Sequence, residues 1–198
     1  DPPLESQKLI ESATSICKDM EDDLARLKKV TSRFSQIGSV PSLSPLSLND
    51  IVNDIAAYFR MRMPFLHKEI DIKCTTPCIP DVCVNHDLIE WVFENLIKNS
   101  IDAIDTNNGI IEIKTEYIAE SEIIRILFID NGSGISLEQK KIFSPGYTTK
   151  KKGWGLGLTL AKRIVEDYHK GRIYVRSSHK NKGTVFCIDL PANAETTL

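Results

Sequence analysis

The chain lacks an excess of charge of either sign, a long apolar run and an even number of cysteines. Its 198 residues carry 25 basic and 27 acidic side chains, for a formal net charge of −2. A nucleic-acid-binding domain is expected to carry an excess of basic residues, and this chain has no such excess. No apolar stretch approaches the roughly 20 residues of a membrane span, and no signal peptide opens the chain. We expect no nucleic acid and no direct membrane contact, while an anchor elsewhere in a longer protein is compatible with the sequence.

The five cysteines do not suit a disulfide framework. They are Cys17, Cys74, Cys78, Cys83 and Cys187. An odd count in a chain this short indicates a reducing cytoplasm. The three central cysteines lie close together but lack the paired two-residue spacing of a zinc site and a nearby fourth ligand. We interpret the cysteines as free, partly buried thiols and the localisation as cytoplasmic.

A regular apolar pattern marks the first 38 residues. Apolar or small residues recur at alternating steps of three and four, which is a heptad seam on one long helix. The seam consists of Ile10, Ala13, Cys17, Met20, Leu24, Leu27, Thr31 and Phe34. One helix cannot bury such a seam alone, so we predict a homodimer through this helix, by a coiled coil or a helix bundle. Packing on the domain that follows is the alternative.

The remaining sequence predicts one domain. Residues 39–48 are rich in glycine, proline and serine and predict a linker, followed by a domain over 49–191 and a tail over 192–198. Ser47 and Asn85 are candidate N-caps of helices. Alternating patterns predict strands at 70–74, 82–84, 110–117, 123–130, 173–178 and 184–190, and a further helix at 158–169. This order of elements predicts an α/β fold, a two-layer α/β sandwich with a mixed sheet.

Two glycine-rich turns carry the strongest functional signal. Asp130 ends an apolar strand and opens a turn with Gly132 and Gly134. A carboxylate at a strand end can accept a hydrogen bond from the exocyclic amine of adenine, and an ordinary Asx turn is the alternative. In the second turn, Gly153, Gly155 and Gly157 precede a helix. Glycines let backbone N–H groups approach phosphates closely, so the two turns together predict a nucleotide site.

Side chains that suit phosphate and metal binding accompany these turns. Lys150, Lys151 and Lys152 precede the second turn, and we expect one or two of them, with Lys150 as the candidate, to contact phosphate. A solvated charge run is the alternative. Asn95 and Asn99 are four residues apart and share one helix face. Their amide oxygens suit Mg²⁺, whereas two surface asparagines would be the alternative interpretation.

The order of these motifs resembles the catalytic ATP-binding domain of sensor histidine kinases, within the GHKL group that includes gyrase B, Hsp90 and MutL. Residues 94–100 (ENLIKNS) resemble the N box, 130–135 (DNGSGI) the G1 box and 153–158 (GWGLGL) the G2 box. Residues 142–150 (IFSPGYTTK) are similar to the F box of the nitrogen-sensor subgroup, and Gly183-Thr184 to the closing turn. The resemblance covers about residues 48–191.

This resemblance implies a GHKL sandwich with helices on one face of the sheet, and ATP and Mg²⁺ as cofactors. It implies Asn99 as the Mg²⁺ ligand, assisted by Asn95, with Lys150 as a third catalytic residue and Asp130 as the adenine contact. The implied nucleotide-binding set is completed by Gly132, Gly134, Gly153, Gly155, Leu156, Gly157 and Thr184. The N-terminal helix resembles the second helix of the dimerisation and phosphotransfer hairpin, and a response-regulator receiver domain is the implied partner.

The chemistry favours transfer over hydrolysis. ATP-hydrolysing relatives place a glutamate four residues before the metal asparagine, and here that position is Asn95, whose amide cannot act as a general base. Phosphoryl transfer to a histidine, itself a nucleophile, needs no such base. Asp102 and Ala103 depart from the lysine and aromatic residue that many members carry, which leaves phosphate neutralisation to the lysines of the second turn.

The phosphoacceptor motif of the family does not occur in the sequence. The four histidines are His67, His86, His169 and His179, and none begins the family's His-Asp/Glu-x-x-Asn/Thr-Pro signature. We assign them capping or surface roles and expect that the chain begins after the phosphoacceptor helix of a longer kinase. The predicted function is an ATP-dependent protein histidine kinase catalytic domain. A non-catalytic nucleotide-binding and dimerisation module is the alternative, and a GHKL serine kinase is disfavoured by the long helix and the F box.

Overall fold

The computed structural model describes residues 41–66, 68–105, 108–135, 141–148 and 155–192. The chain divides into two units, Asp1–Pro41 and Ser42–Leu198, and almost all described residues belong to the second. The predicted dimerisation helix, Lys150 and Gly153 lie outside the described residues. No helix of the described part is long and apolar enough to cross a membrane.

A five-stranded mixed sheet forms one layer. Its strands, in spatial order, are β2 (Ile70–Thr75), β4 (Gly109–Ile118), β5 (Ile123–Asp130), β7 (Gly183–Pro191) and β6 (Arg172–His179). β2 runs parallel to β4, whereas the β4–β5, β5–β7 and β7–β6 pairs are antiparallel. The strands predicted at 110–117 and 123–130 thus pair directly as β4 and β5, and those predicted at 173–178 and 184–190 pair as β6 and β7.

The helices form the second layer, on one face of the sheet. They are α1 (Leu48–Arg62), continued by a 3₁₀ turn (Met63–Leu66), α2 (His86–Ala103), and α3 (Gly157–Arg163), continued by a π-helical segment (Ile164–Tyr168). The rings of Phe93 on α2 and Phe128 on β5 lie 5.3 Å apart between centroids, within a fully buried core. On the opposite face, Arg125 of β5 donates to both carboxylate oxygens of Asp189 on β7, at 2.7 and 3.1 Å. The predicted two-layer sandwich with helices on one face is confirmed.

The N-caps follow the sequence prediction. The side chain of Ser47 accepts a hydrogen bond from the Asp50 N–H at 3.3 Å, and that of Asn85 accepts from the Leu88 N–H at 3.1 Å. Each cap satisfies a backbone donor that the first helical turn leaves without a partner. Asn85 therefore fixes the residue at which α2, the helix of the asparagine pair, begins.

Two local features add to the sequence prediction. Part of the predicted linker is a strand, β1 (Ser44–Leu46), which pairs antiparallel with β3 (Val82–Val84). β1 pairs with a strand on one side only, so Pro45, which has no backbone N–H, fits in this strand without breaking a hydrogen-bond ladder on its other side. The expected single helix over 158–169 changes from α-helical to π-helical hydrogen bonding after Arg163. Apolar periodicity does not distinguish these two backbone forms.

The cysteines of the described part are free thiols in contrasting surroundings. Cys78 is exposed, Cys74 and Cys83 are half-buried, and Cys187 is completely buried on β7. Its Sγ lies 3.5 Å from Asp189 Oδ1, in the same polar cluster as Arg125. Burial raises the pKa of the Cys187 thiol. The sheet therefore encloses one unreactive thiol.

Candidate functional site

A buried carboxylate, Asp130, lies at the centre of the candidate site. It ends β5 and is 6% exposed. Its Oδ1 accepts from the backbone N–H groups of Gly132 at 2.9 Å and Thr184 at 3.2 Å, and its Oδ2 accepts from the Ser100 hydroxyl at 3.3 Å. Burial raises the pKa of the carboxyl, and these three donors oppose that rise. One side chain thus joins the first glycine turn, β7 and α2.

Sequence reasoning missed the role of Ser100. Its residue is only 2% exposed and continues the inward face of α2 that Phe93 and Ile97 define at helical spacing. A hydroxyl on an otherwise apolar stripe requires a buried partner, and the partner here is Asp130. That interruption of the stripe was the available signal. The burial of Thr184, a predicted nucleotide-binding residue, follows from the same cluster.

The asparagine pair meets the second glycine turn. Asn95 and Asn99 are both half-buried on α2, one helical turn apart. A Cβ placed on Gly157 would overlap Asn95 Oδ1, so glycine at the start of α3 is what lets the two helices approach. Asn95 Nδ2 is buried and has no hydrogen-bond partner among the described residues. A donor remains there for an acceptor atom of a ligand.

Glu94, next to this pair, is part of an ion pair. It is 8% exposed, and one of its carboxylate oxygens lies 3.4 Å from Lys98 Nζ. The position four residues before Asn99 is Asn95, one residue further along the helix, and an amide cannot take a proton from water.

The first glycine turn is held from two sides. The Ser133 N–H donates to the carbonyl of Ala103, the last residue of α2, at 2.8 Å. On the other side, Asn181 N–H donates to Ser133 O at 2.8 Å, and Ser178 Oγ accepts from Ile135 N–H at 2.7 Å. Gly134 has φ = +70° and faces the His179 carbonyl, so a side chain at this position would be both strained and obstructed.

The β6–β7 hairpin thus forms one wall of the site. Ser178 also lies 2.9 Å from the Thr184 hydroxyl, and the Thr184 N–H donates to Asp130. No local sequence pattern predicted this contact, because Ser178 and Ile135 are far apart in the chain and are brought together by the sheet. The sequence identified Thr184 but neither Ser178 nor Asn181.

The second turn connects to the segment that resembles the F box. Gly155 O accepts from the Gly146 N–H at 3.2 Å, and the ring of Phe143 packs edge-on against Phe186 of β7 at 6.5 Å. Leu156 immediately precedes α3, and its carbonyl accepts from Leu160 N–H at 2.9 Å. The described parts of both predicted segments therefore lie beside the site.

Lys68 caps the C-terminal end of α2. Its Nζ donates to the carbonyls of Ile101 at 2.5 Å and Ile104 at 2.7 Å. A cation is favourable at this end of a helix, where the last carbonyls have no intrahelical partner. α2 is thus anchored immediately beyond the residues that contact Asp130 and the first glycine turn.

The fold and the site together define a nucleotide-binding ATPase-type domain. Residues 84–194 match the family described as Histidine kinase-, DNA gyrase B-, and HSP90-like ATPase, and the chain belongs to this family. The matched range contains the asparagine pair, both glycine turns and Thr184.

Similar proteins specify the branch of this family. The chain is 31% identical to Sporulation kinase D of Bacillus subtilis (strain 168), over 88% of this chain and 34% of that protein. The nucleotide-free catalytic domain of histidine kinase ThkA has a TM-score of 0.67 and 30% identity, over 77% of this chain and 97% of that one. ThkA in complex with the response regulator protein TrrA has a TM-score of 0.65 and 26% identity, over 98% of this chain and 53% of that one. The chain thus contains a histidine kinase catalytic domain and spans about a third of the length of that curated relative.

Proposed function

We propose that this chain binds Mg²⁺-ATP and transfers the γ-phosphoryl group to a histidine on the dimerisation hairpin of the same protein. The observation that carries the proposal is the buried Asp130 carboxylate, held by Ser100, Gly132 and Thr184 beside the Asn95–Gly157 contact. It offers an acceptor for a base and a nearby donor for an acceptor atom, as an adenine nucleotide requires.

The adenine amino group would donate a hydrogen bond to the carboxylate of Asp130. Its oxygens are already oriented by three donors, so an adenine amino group would complete the cluster without moving the carboxylate. A hydrogen bond to an ionised acceptor in a buried site is roughly twice as strong as a neutral one. The contact would discriminate adenine from guanine, because guanine carries a carbonyl acceptor at the corresponding position.

The phosphate end would be formed by α2 and the second glycine turn. Asn99, assisted by Asn95, offers amide oxygens of the kind that Mg²⁺ prefers. Asn95 Nδ2, which has no hydrogen-bond partner among the described residues, suits a phosphate oxygen. When bound, Mg²⁺ would supply charge neutralisation on the phosphates. We propose backbone contacts from Gly153, Gly155, Leu156 and Gly157 and a cationic contact from Lys150.

The chemistry would be transfer in line. The imidazole nitrogen of the phosphoacceptor forms a bond to the γ-phosphorus as the bond from that phosphorus to the β,γ-bridging oxygen breaks, and ADP leaves. Asn95, four residues before Asn99, cannot deprotonate a water, so hydrolysis lacks its base at that position. The protein contributes position and electrostatic stabilisation, which are the main factors in phosphoryl transfer.

The partners follow from this assignment. We propose that residues 3–37 form the second helix of the hairpin and pair with the same helix of a second copy, and that the phosphoryl group passes to a response-regulator receiver domain. ThkA, described above, is the similar protein whose complex with a response regulator supports this proposal. A cytoplasmic location, with a membrane anchor elsewhere in the full-length protein, completes it.

The test combines binding and transfer. The 198-residue chain is incubated with γ-labelled ATP, Mg²⁺ and the phosphoacceptor hairpin of the full-length protein, made separately. We expect label on the hairpin, none on a hairpin whose histidine is replaced, and none with Asn99→Ala or in EDTA. ATP binding without transfer would instead support the regulatory module, and the absence of ATP binding would contradict both functions.

A further inference from the structure

His169 is buried, whereas the other two described histidines, His86 and His179, are exposed. A capping role was among those expected for it, and the structure makes it the residue that ends the π-helical segment, with only 2% of its surface exposed. Its Nδ1 lies 2.8 Å from the Ile164 carbonyl, and its Nε2 lies 3.0 Å from the backbone N of Asn85. The imidazole therefore connects the end of the π-helical segment to the N-cap of α2.

These partners determine the protonation state of the ring. The Asn85 N–H can only donate, so Nε2 must be the unprotonated acceptor; the Ile164 carbonyl can only accept, so Nδ1 must carry the proton. A doubly protonated ring would place the Nε2 proton against the Asn85 N–H and lose that bond. The connection exists in the neutral Nδ1–H form alone.

The Asn85–His169 hydrogen bond is a second contact between α2 and the helix over Gly157–Tyr168, which run antiparallel. Asn95 meets Gly157 at one place, and Asn85 meets His169 at the other. Asn85 and Asn95 are ten residues apart, about 15 Å along an α-helix, and Gly157 and His169 are twelve residues apart in a segment whose π-helical part rises less per residue. The two segments have matching lengths and are tied at both ends.

We propose that His169 is a positioning residue of the nucleotide site, which sets the start of α2 against the helix that follows the second glycine turn. The inference rests on the proposed function, because the position it sets is that of Asn95 opposite Gly157. A change in tilt at the His169 end would displace the other end through two rigid segments. A π-helical turn suits this role, since such turns recur at functional sites.

The position of His169 makes this connection sensitive to acid. Burial lowers the pKa of the imidazole, and the bond to the Ile164 carbonyl opposes that shift. A base whose folded pKa is lowered contributes stability that is complete above its unfolded pKa and is lost as pH falls through the folded value. The charged or titratable residues nearest to this contact along the two elements are His86, Asp87, Glu90, Lys162, Arg163, Glu166, Asp167, Lys170 and Arg172. Glu166 and Asp167 lie 3.7 and 3.9 Å from Lys162 and Arg163.

Two substitutions separate the atoms of the ring. His169→Gln places an amide group at the position of Nε2 and can accept from Asn85 without titrating, whereas His169→Asn reproduces only the Nδ1 position and loses the connection. We expect His169→Asn to weaken ATP binding about tenfold at pH 7.5 and His169→Gln to stay within about twofold of wild type, by calorimetry in the presence of Mg²⁺. Because burial lowers the pKa of His169, the affinity of wild type should follow that of His169→Gln from pH 7.5 down to the ordinary imidazole pKa and should fall more steeply than that of His169→Gln at lower pH. His179→Gln, at an exposed histidine, is the matched control and should follow wild type.

The outcomes are decisive in either direction. Equal affinities for all variants, or equal losses in the Gln and Asn variants, would overturn the proposal, as would ¹⁵N shifts of the imidazole that show an Nε2–H or charged ring at pH 7.5. A melting temperature lowered in His169→Asn with unchanged ATP affinity would reduce His169 to a structural residue. If wild type fails to bind ATP, the proposed function fails instead, and positioning of a nucleotide fails with it. Imidazole shifts and slow exchange of the Asn85 amide would then still report whether the connection between the helices exists.

Discussion

The adenine end and the phosphate end of the proposed site differ in how complete they are before a nucleotide arrives. At the adenine end, Asp130 accepts from three donors of the protein itself. At the phosphate end, the buried amide nitrogen of Asn95 has no protein partner within the described residues. The base would therefore dock into a finished pocket, whereas the phosphates would complete an unfinished one. The choice of base would thus be made at the Asp130 end, whereas the hydrogen bonds of the site would be completed at the Asn95 end.

Replacing the adenine contact should give the largest effect. We expect Asp130→Asn to weaken ATP binding on the order of 100-fold, or about 2.8 kcal/mol, because the Nδ2 group facing Ser100 cannot accept from adenine. Calorimetry at pH 7.5 measures this. The fold should survive, since Asn retains an Oδ1 acceptor for the amides of Gly132 and Thr184.

The same variant should be at least as stable as wild type at neutral pH. Burial raises the pKa of Asp130, so the folded state holds a proton more tightly than the unfolded state, and the cost of the charged carboxylate is present above the folded pKa. We expect the melting temperature of Asp130→Asn to equal or exceed that of wild type at pH 7.5, with the difference shrinking toward pH 4. If Asp130→Asn bound ATP as tightly as wild type, Asp130 would not contact adenine, and the proposed difference between the adenine end and the phosphate end would be refuted.

A smaller effect should follow from disturbing the contact between α2 and α3. A Cβ at Gly157 overlaps Asn95 Oδ1, so we expect Gly157→Ala to weaken ATP binding about 30-fold by displacing the Asn95 side chain from its place in the site. In the double variant with Asn95→Ala the overlap is absent, and the two losses should not add. Additive losses in calorimetric affinities would mean that the two residues act independently and would refute the contact as the cause.

The smallest effect should come from the hairpin wall. Ser178→Ala removes the acceptor of the Ile135 N–H and the contact with the Thr184 hydroxyl, each worth about 1 kcal/mol. We expect a loss of ATP affinity of about threefold to tenfold, which a fluorescent nucleotide competition assay resolves. Ser121→Ala, at an exposed serine of the 3₁₀ turn that joins β4 to β5, is the matched control. A loss as large as that of Asp130→Asn would show that the wall, and not the carboxylate, orders the adenine end.

The sequence predicted what is local and missed what is brought together by the fold. The caps at Ser47 and Asn85, the strand that ends at Asp130 and the glycine turns depend on neighbours within a few residues, and each was recognisable from spacing alone. Ser100 and Ser178 contact residues that are distant in the sequence. Their polar character therefore does not indicate which residues they contact. The parallel pairing of β2 with β4 is non-local for the same reason.

His169 combines a local and a non-local feature. It follows Ala161 and Val165 at steps of four, on the inward face of the helix over Gly157–Tyr168, and it is buried with them. Its contact with Asn85 joins two elements that are far apart in the chain. Neighbouring positions in the sequence therefore do not indicate which residue its Nε2 meets.

The buried thiol of Cys187 gives the domain an internal chemical probe. Cys187 lies on the same sheet face as Arg125 and Tyr174, so a thiol reagent reaches its sulfur only when the side chains over it move aside or the strands separate, whereas the exposed Cys78 reacts from the folded state. The labelling rate at Cys187 would thus measure how often this part of the β5–β7–β6 surface opens, with Cys78 as the reference for reagent activity. Because Thr184, three residues before Cys187 on β7, donates to Asp130, ATP should slow this reaction without touching the sulfur.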